Sequence, residues 1–494
     1  MPYLLGLDVG TSSTKAVLID ASGNVVATCA PAYPFQTPKP LWAETDPQLW
    51  WDAAIKAIRQ MVDKVGADEI AGIGLTGQMH GLVLLDAQGK VLRPCIMWND
   101  QRTARQCQEL TDKVGAAQVL EITGNPILPG FTAPKISWVA QHEPEVFAKI
   151  AKILLPKDYL RYKLTGEYFG EVSDASGTSL LNVAQRRWSN SMIEAVGIKR
   201  EWLPELTESP VASTRISAEA AKLTGLKQGT PVIAGGGDQA AGAIGCGIIR
   251  EGIFSATLGT SGVLFAHSDA YRVEPEGRLH AFCHAVPGAW HLMGVMLSAA
   301  GSYQWWHDTL GGTDFNTLNA GAEQVPAGSE GLFYLPYLSG ERCPHPNPNA
   351  RGAFVGLSLR HGKGHLTRAV LEGVTYGMTD MLALMRQLGL SSDRIIAAGG
   401  GANSPLWLQM LADQYATPVV TVNAKEGAAY GAALLASVGA GIFPDVPTAV
   451  NAAIKETGRT DPGADAEVYA RLHPLYQQLY PSLKGHFDRM AELS

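Results

Sequence analysis

The chain has 494 residues, of which 46% are hydrophobic and 17% charged, and its formal net charge is −7. This length predicts two or three domains, and a weak negative charge without a Lys/Arg cluster argues against a nucleic-acid surface. No apolar run reaches about 18 residues, which argues against a membrane-spanning helix. Six scattered cysteines without a Cys-x-x-Cys pair are typical of reduced thiols. We expect a cytoplasmic metabolic protein whose partners are small molecules.

The first predicted element is a strand–turn–strand unit. Apolar residues flank Gly10, Thr11 and Ser12 on both sides, and such a turn presents N–H groups and small hydroxyls that suit a phosphate. Asp8 precedes the turn, where a carboxylate would repel a phosphate unless a cation lay between them. We therefore interpret Asp8 as holding hydrated Mg²⁺, although an Asp that caps the turn through its own backbone is the alternative.

A helix and a strand follow, and the strand leads to a polar loop. Helical spacing over 49–62 after Asp46-Pro47 predicts a helix, and the run 70–76 predicts a buried strand. The strand ends at Gln78, Met79 and His80, a glycine-flanked loop whose donors and acceptors suit a polyhydroxylated ligand. A lone His in a loop is usually structural, so no catalytic role is assigned to His80.

The next segment predicts a hairpin and a second polar cluster. Apolar runs at 82–85 and 91–97 lie on either side of residues 86–89, which have the composition of a turn. Trp98 and Asp100 follow, in a stretch where an aromatic ring adjoins polar groups as it does in sugar sites. A domain rim would have a similar composition.

Asp238 is the strongest candidate for an acid or base. The run 230–234 predicts a strand, three glycines follow it, and Asp238 and Gln239 then open a small-residue helix. The positive end of a helix keeps a carboxylate ionised and able to accept a proton. A plain N-cap is the commoner role for Asp at this position, and the local sequence does not decide between the two. The Gly/Ala-rich stretch 234–252 predicts a domain boundary near residue 248.

The first turn recurs about half a chain length later. Gly259, Thr260 and Ser261 lie between apolar runs, again as a predicted strand–turn–strand unit. Two such turns indicate two similar lobes that close on one polyphosphate. Thr257 stands where Asp8 stands in the first unit, so the second turn is predicted to clamp phosphate without an acidic residue.

The second half predicts a long helix and a nucleotide site. Apolar spacing over 365–388 predicts the helix, and the run 394–398 predicts a strand that enters Gly399–Gly401. Ser404, followed by proline, is a good start for the next helix. A triple glycine at such a junction is more often a simple tight turn, but beside two phosphate turns it predicts nucleotide binding. The chain has no Walker A motif, and the region 267–330 has no clear assignment.

The chain resembles the FGGY family of carbohydrate kinases, of the sugar-kinase/actin/heat-shock-chaperone superfamily, over nearly its whole length. Residues 130–142 resemble the family's N-terminal signature, and residues 352–357 with 365–372 resemble its C-terminal signature. The resemblance implies an α/β protein of two similar ribonuclease-H-like (actin/hexokinase-like) domains around a central cleft. We expect the domains to be residues 1–248 and 249–494.

Shorter motifs resemble those of family members that phosphorylate D-xylulose, and they lie at 77–81, 98–100, 155–160, 282–285 and 335–342. The resemblance implies transfer of the γ-phosphoryl group of ATP, with Mg²⁺, to the 5-hydroxyl of D-xylulose. The expected roles are Asp238 as catalytic base; Asp8 on Mg²⁺ through water; Met79, His80, Gln78, Trp98, Asp100 and Gln239 on the sugar; and Gly10, Thr11, Ser12, Gly259, Thr260, Ser261, Gly400, Gly401 and Asn403 on ATP. Some relatives carry Asn at position 239, so the amide of this chain is displaced by one methylene.

Three alternatives stay open at this point. Another kinase of the same family would act on ribulose, gluconate, a deoxysugar or glycerol. A nucleotide-gated sensor or chaperone of the superfamily would need neither Asp8 nor Asp238, so the presence of both argues against it. An actin-like filament protein would need a polymerising surface, which cannot be read in the sequence. Family analogy indicates a homodimer.

Overall fold

The computed structural model describes residues 2–424 and 426–493. The helices and strands of the first half are, in chain order, β1 (Tyr3–Val9), β2 (Thr14–Asp20), β3 (Val25–Cys29), β4 (Glu44–Thr45), α1 (Pro47–Val65), β5 (Ile70–Gly77), β6 (Val83–Leu85), β7 (Cys95–Ile96), α2 (Ala104–Val114), α3 (Ala116–Thr123), α4 (Thr132–His142), α5 (Pro144–Phe147), β8 (Lys152–Leu154), α6 (Pro156–Thr165), β9 (Phe169–Glu171), α7 (Val172–Ala175), β10 (Leu181–Asn182), β11 (Arg187–Trp188), α8 (Asn190–Val196), β12 (Glu205–Thr207), β13 (Ala212–Arg215), α9 (Ala218–Thr224), β14 (Pro231–Gly237) and α10 (Asp238–Cys246).

The second half continues with β15 (Gly252–Leu258), β16 (Gly262–Ser268), β17 (His280–Cys283), β18 (Trp290–Met296), α11 (Ala300–Thr309), α12 (Phe315–Glu323), β19 (Phe333–Leu335), β20 (Ala353–Val355), α13 (Lys363–Gln387), β21 (Ser392–Ala398), α14 (Pro405–Tyr415), β22 (Val419–Val422), α15 (Gly427–Gly439), α16 (Val446–Ala453), β23 (Glu456–Thr460) and α17 (Ala466–Ala491). Short 3₁₀ turns lie at Ala67–Glu69, Ser176–Thr178, Arg200–Trp202, Ser329–Gly331 and Gly400–Asn403. None of the helices within the described ranges has the length and apolarity needed to cross a bilayer.

The two large sheets follow one plan. The first has the strand order β13-β14-β5-β1-β2-β3, and the second has the order β23-β22-β21-β15-β16-β18-β17. In each, three neighbouring strands run parallel (β14-β5-β1 and β22-β21-β15), and the strands outside them pair antiparallel. Because order and direction repeat together, the fold is a duplicated α/β unit. This confirms the predicted fold class.

Both predicted turns close antiparallel hairpins. β1 pairs with β2 around residues 10–12, and β15 pairs with β16 around residues 259–261. Each hairpin also pairs in parallel with one further strand, β5 in the first lobe and β21 in the second. The two Gly-Thr-Ser turns therefore occupy equivalent places in the two sheets.

Four predicted elements are confirmed, two of them together with the residue that caps the helix start. α1 begins after Asp46, whose side chain accepts a hydrogen bond from the N–H of Gln48. α14 begins after Ser404, whose hydroxyl accepts from the N–H of Trp407. β5 and α13 fall where the apolar spacing predicts them, and α13 is buried along most of its length.

The predicted hairpin over 82–97 is present but irregular. The N–H of Asp86 donates to the carbonyl of Lys90, and isolated bridges join Leu85 to Val91 and Leu82 to Ile96. On their other edges β6 pairs with β8, and β7 pairs with β4. These additional partners are distant along the chain, which local periodicity cannot indicate. The unassigned region 267–330 contains β17, β18, α11 and α12.

Two equivalent helices exchange contacts between the lobes. α15 follows the second sheet but packs on the first, where Ala429 and Ala433 share a hydrophobic cluster with Leu4. α10 follows the first sheet and contacts both lobes, since its Ile244 lies in that same cluster and its Ala243 joins a cluster with residues of the second sheet. The helices touch so closely that a Cβ at Gly431 would lie 1.7 Å from the carbonyl oxygen of Ala241. The division at residue 248 stays a prediction, since the two sheets are interlocked by this exchange.

Candidate active site

A cavity of about 1020 Å³ lies between the two sheets. It receives residues from both halves of the chain, as the sequence predicts for a site between lobes. Among its lining residues are Asp8, Asp238, Gln239, Thr257, Gly399, Asn403 and Gly427. The ends of the parallel strands meet at this cavity, which is where α/β folds place their ligands.

Asp8 lies near the end of β1 and points an incompletely satisfied carboxylate at the cavity. Its Oδ1 is buried and has no hydrogen-bond partner among the described residues. Burial raises the pKa of Asp8 to about 6, against the opposing charge of Lys15. Lys15 is itself paired with Glu426, at 2.6 Å. The nearby positive charge of Lys15 is thus shared with Glu426, and Oδ1 accepts no hydrogen bond from the described residues of the turn. A buried carboxylate in this state fits a bound divalent cation better than a local turn cap.

Asp238 is the first residue of α10, and it does not cap the helix. Gly237 occupies the N-cap position, and no side chain caps this helix. Burial and, to a smaller extent, the charge of Asp8 raise the pKa of the Asp238 carboxyl to about 7, against the opposing hydrogen bonds from Gln239. The geometry therefore argues against the plain N-cap alternative. A carboxyl that titrates near neutrality is suited to exchanging a proton with a substrate.

The two Gly-Thr-Ser turns are fixed by their carbonyl groups. The Gly10 carbonyl accepts from the Tyr33 hydroxyl at 2.6 Å and from Nε2 of Gln78 at 3.2 Å. In the second lobe, the Gly259 carbonyl accepts from the N–H of Ala300 at 2.8 Å, and the Thr260 carbonyl accepts from two further amides. Both turns are thus anchored to the rest of their lobes through these carbonyl groups.

Met79 lies directly beside the glycines that precede Asp238, and His80 lies beside Gly177. A Cβ at Gly237 would lie 3.0–3.3 Å from side-chain atoms of Met79. His80 stacks on Phe131 with ring centroids 4.4 Å apart, and its Nδ1 donates to the carbonyl of Gly177 at 2.6 Å. Burial lowers the pKa of His80 to about 3. The ring is therefore neutral, and because Nδ1 carries the proton, Nε2 is an acceptor.

The other predicted sugar residues differ in what their side chains contact. Gln239 lines the cavity, and the Oε1 atom of Gln78 is buried without a partner in the part of the chain that the structure describes. Trp98 donates from Nε1 to the Thr11 hydroxyl at 3.0 Å, so it touches the first phosphate turn. Asp100 is fully buried and binds Arg102 and the N–H of Ala43. Its carboxylate is already engaged, so a sugar contact from Asp100 stays a prediction without geometric support.

The glycines after β21 border the cavity on the second lobe. Gly399 and Asn403 line it directly. A Cβ at Gly400 would meet open space, whereas a Cβ at Gly401 would lie 2.7 Å from Leu258. Gly400 therefore leaves a smooth surface beside the cavity, and Gly401 allows the turn to pack on β15.

One segment near the site had no predicted role. Residues 171–178 contact the N–H of Gly237 through Ser173, the His80 ring through the Gly177 carbonyl, and the Cys283 N–H through Ser176. The sequence signal for a role of this segment was its high density of small polar residues. That signal could not be interpreted from sequence because each contact joins residues that are distant along the chain.

A duplicated α/β fold with two phosphate-type turns and two neighbouring carboxylates in one cleft defines a two-lobed small-molecule kinase. Residues 3–245 match the N-terminal domain of the FGGY family of carbohydrate kinases, and residues 254–440 match its C-terminal domain. The chain belongs to this family and is a carbohydrate kinase, which implies use of ATP.

Similar proteins extend the comparison over the full length. The xylulose kinase of Escherichia coli (strain K12) is 42% identical over 97% of this chain and 99% of that protein. The gluconokinase of Bacillus subtilis (strain 168) is 32% identical over 99% and 98%. The crystal structure of a xyloylose kinase from Brucella ovis is 40% identical, with a TM-score of 0.93 and coverage of 98% and 99%.

Proposed function

We propose that the protein transfers the γ-phosphoryl group of ATP to the 5-hydroxyl of D-xylulose, giving D-xylulose 5-phosphate and ADP. The observation that carries this proposal is the carboxyl group of Asp238, which lines the cavity, does not cap its helix and has a pKa raised to about 7. The similarity to proteins named xylulose kinase supports the choice of sugar.

Asp238 is the general base of this reaction. As the 5-hydroxyl oxygen attacks the γ-phosphorus, the hydroxyl proton passes to the carboxylate and the bond to the β-phosphate oxygen breaks. The proton stays on Asp238 until the product leaves. Positioning and charge neutralisation supply most of the rate, since phosphoryl transfer requires little covalent chemistry of the protein.

Asp8 would hold Mg²⁺, through water molecules. The buried and unpartnered Oδ1 and the raised pKa of this carboxyl both fit a divalent cation. Mg²⁺ is commonly held by one or two carboxylates together with substrate phosphates and retained water. When bound, it would neutralise phosphate charge. The turns at 10–12 and 259–261 then contact the phosphates from opposite lobes, and Gly400, Gly401 and Asn403 border the adenosine.

The sugar lies against Met79 and His80. Nε2 of the neutral His80 ring accepts a hydrogen bond from a sugar hydroxyl, since Nδ1 is fixed on the Gly177 carbonyl. Gln78 offers its free Oε1 as an acceptor and Gln239 offers its side-chain amide, whereas the N–H of Trp98 is engaged by Thr11. Asp100 acts at most through Arg102, which it orients. The cleft closes over both substrates and excludes water, the competitor for the γ-phosphoryl group.

Gluconate is the one rival substrate that a specific observation favours, because a gluconokinase is also similar over nearly the whole chain. A coupled ADP assay over D-xylulose, D-ribulose, D-gluconate, a deoxysugar and glycerol tests the choice. We expect the highest kcat/KM with D-xylulose. A higher value with gluconate would replace the substrate while leaving the kinase chemistry in place. A cytoplasmic location and a homodimer stay predictions.

A further inference from the structure

The strand that leads to Asp238 is irregular. The register of β14 against β5 shifts between Ile233 and Gly236, so the regular ladder is interrupted there. Gly235 has a φ of 77°, and a Cβ at this position would lie 1.6 Å from the carbonyl oxygen of Leu75. A bulge of this kind re-aims the chain but leaves backbone groups without their ladder partners. The residues just before the catalytic base therefore need other support.

Side chains and a neighbouring loop supply that support. Nη2 of the buried Arg161 donates to the Ala234 carbonyl at 2.6 Å. The Gly235 N–H donates to the Ser209 carbonyl at 2.9 Å, and the Gly237 N–H donates to the Ser173 hydroxyl at 3.1 Å. Of these bonds, the one that Ser173 accepts comes from Gly237, the residue directly before Asp238 in the chain.

The Ser173 hydroxyl is fixed in one orientation. Its oxygen accepts from the Gly237 N–H, and its proton goes to Oε1 of Glu171 at 3.0 Å. Glu171 is held in turn by the N–H groups of Ser173 and Asp174 and by the Ser209 hydroxyl. Ser173 and Glu171 are both fully buried, so water does not compete for these bonds.

A buried lysine neutralises this acidic group. Nζ of Lys157 lies 2.6 Å from Asp158, 3.4 Å from Asp174 and 3.6 Å from Glu171. Although burial disfavours its charge, these three carboxylates raise the pKa of Lys157. The charge of Lys157 lies at the centre of three carboxyl groups, one of which is the Glu171 group that accepts from Ser173. Lys157, Glu171 and Ser173 thus form one connected network that ends on the main chain at Gly237.

We propose that Ser173 is a positioning residue for Asp238, which it orients through the hydrogen bond to the Gly237 N–H. The inference rests on the proposed role of Asp238 as base. Gly237 also packs on Met79, so the same bond sets the distance between the base and the predicted sugar contact. Although Gly236 and Gly237 pair again with Thr76 and Gly77 of β5, loss of this bond frees the N–H next to Asp238, and the carboxylate moves relative to the 5-hydroxyl. Displacements of about 1 Å in such a site cost on the order of a hundredfold in rate.

The test begins with Ser173→Ala. We expect kcat with D-xylulose to fall about tenfold to a hundredfold, with both KM values nearly unchanged. Ser173→Cys restores part of kcat because a thiol still accepts weakly from the Gly237 N–H. Ser437→Ala is the matched control. Ser437 is equally buried, and its hydroxyl donates only to the Leu434 carbonyl of its own helix, at 2.6 Å. This control retains wild-type kcat.

A double-mutant cycle separates positioning from general structural loss. Ser173→Ala in an Asp238→Ala background causes no further decrease in kcat, because Ser173 acts only through Asp238. An equal decrease in both backgrounds would overturn the proposal, as would wild-type kcat in Ser173→Ala. Should Ser173→Ala fail to fold, Ser173→Cys decides by the same criteria. Full turnover by Asp238→Ala would overturn the proposed base and this inference together, whereas an inactive Asp238→Ala with a fully active Ser173→Ala would remove only the inference.

Discussion

The two hairpins that border the cavity have the same scaffold and different chemistry. On β1, Asp8 lies opposite Thr76 of β5 and Lys15 of β2. On β15, Thr257 lies opposite Ala398 of β21 and Val263 of β16. The pairing is equivalent strand by strand, but the first lobe carries charge at these positions and the second does not.

The exchanged helices differ in the same way. α10 begins with Asp238, and its counterpart α15 begins with Gly427. Both acidic residues of the cavity therefore come from the first lobe, where they are close enough for the charge of Asp8 to raise the pKa of Asp238. Duplication thus supplies a symmetric scaffold. The proposed base and the proposed cation ligand both lie on one side of it, so in the proposed reaction they act on the same end of the phosphate chain.

The largest expected effect comes from removing the proposed base, Asp238, from the first lobe. Asp238→Ala should lower kcat about 10³-fold, because general bases contribute rate factors of this order. The KM values for sugar and ATP should stay within about an order of magnitude, since the turns and Met79 are untouched. A coupled ADP assay with independent binding measurements checks both. If both affinities disappeared together with turnover, Asp238 would be a structural residue, and the asymmetry between the lobes would lose its chemical meaning.

Equivalent substitutions in the two hairpins test the asymmetry directly. Asp8→Asn should lower activity about tenfold to a hundredfold and raise the Mg²⁺ concentration needed for half-maximal rate. Thr257→Val removes the hydroxyl at the equivalent position of β15 and should leave the Mg²⁺ requirement unchanged. Activity titrations against Mg²⁺ with both variants make the comparison. A similar shift in both would mean that the cation is held symmetrically.

Much of this arrangement could be predicted from the sequence, because the informative patterns are local. The Gly-Thr-Ser turns, the start of α14 at Ser404 and the spacing of α13 each lie within one element. The capping state of Asp238 could not be predicted, since it depends on which residue takes the N-cap position. Nor could the support from Ser173 be predicted, because it joins residues more than sixty positions apart. The exchange of α10 and α15 is equally non-local, and so are the strand partners of the run 82–97.

A change in pH should have a moderate effect on the rate of phosphoryl transfer. With a pKa of about 7, Asp238 is a base only above neutrality, so kcat/KM should rise with pH and level off above about 8. Well below pH 7 the rate should fall about tenfold for each pH unit. Asp8→Asn removes the like charge that raises this pKa, so the acidic side of the pH–rate profile should move to lower pH. An unchanged profile in this variant would show that the two carboxylates do not interact.

The smallest effect concerns stability, and it again separates the lobes. The folded-state pKa of Asp238 is raised from 3.8 to about 7, so the folded protein binds a proton that the unfolded chain releases. The stabilising contribution of the protonated form is complete below pH 3.8 and is lost as the pH rises through 7.

At pH 8 the buried charge therefore destabilises the ligand-free protein, and Asp238→Asn should raise Tm by a few degrees. At pH 5 the folded carboxyl is protonated but the unfolded chain is mostly ionised, so the difference should be smaller than at pH 8 and should vanish only below pH 3.8. Thr257→Val introduces no change in charge, and its Tm difference from wild type should be the same at both pH values. Thermal unfolding of the three proteins at pH 5 and 8 measures this, and a pH-independent gain in Asp238→Asn would mean that packing, not charge, limits the stability of the first lobe.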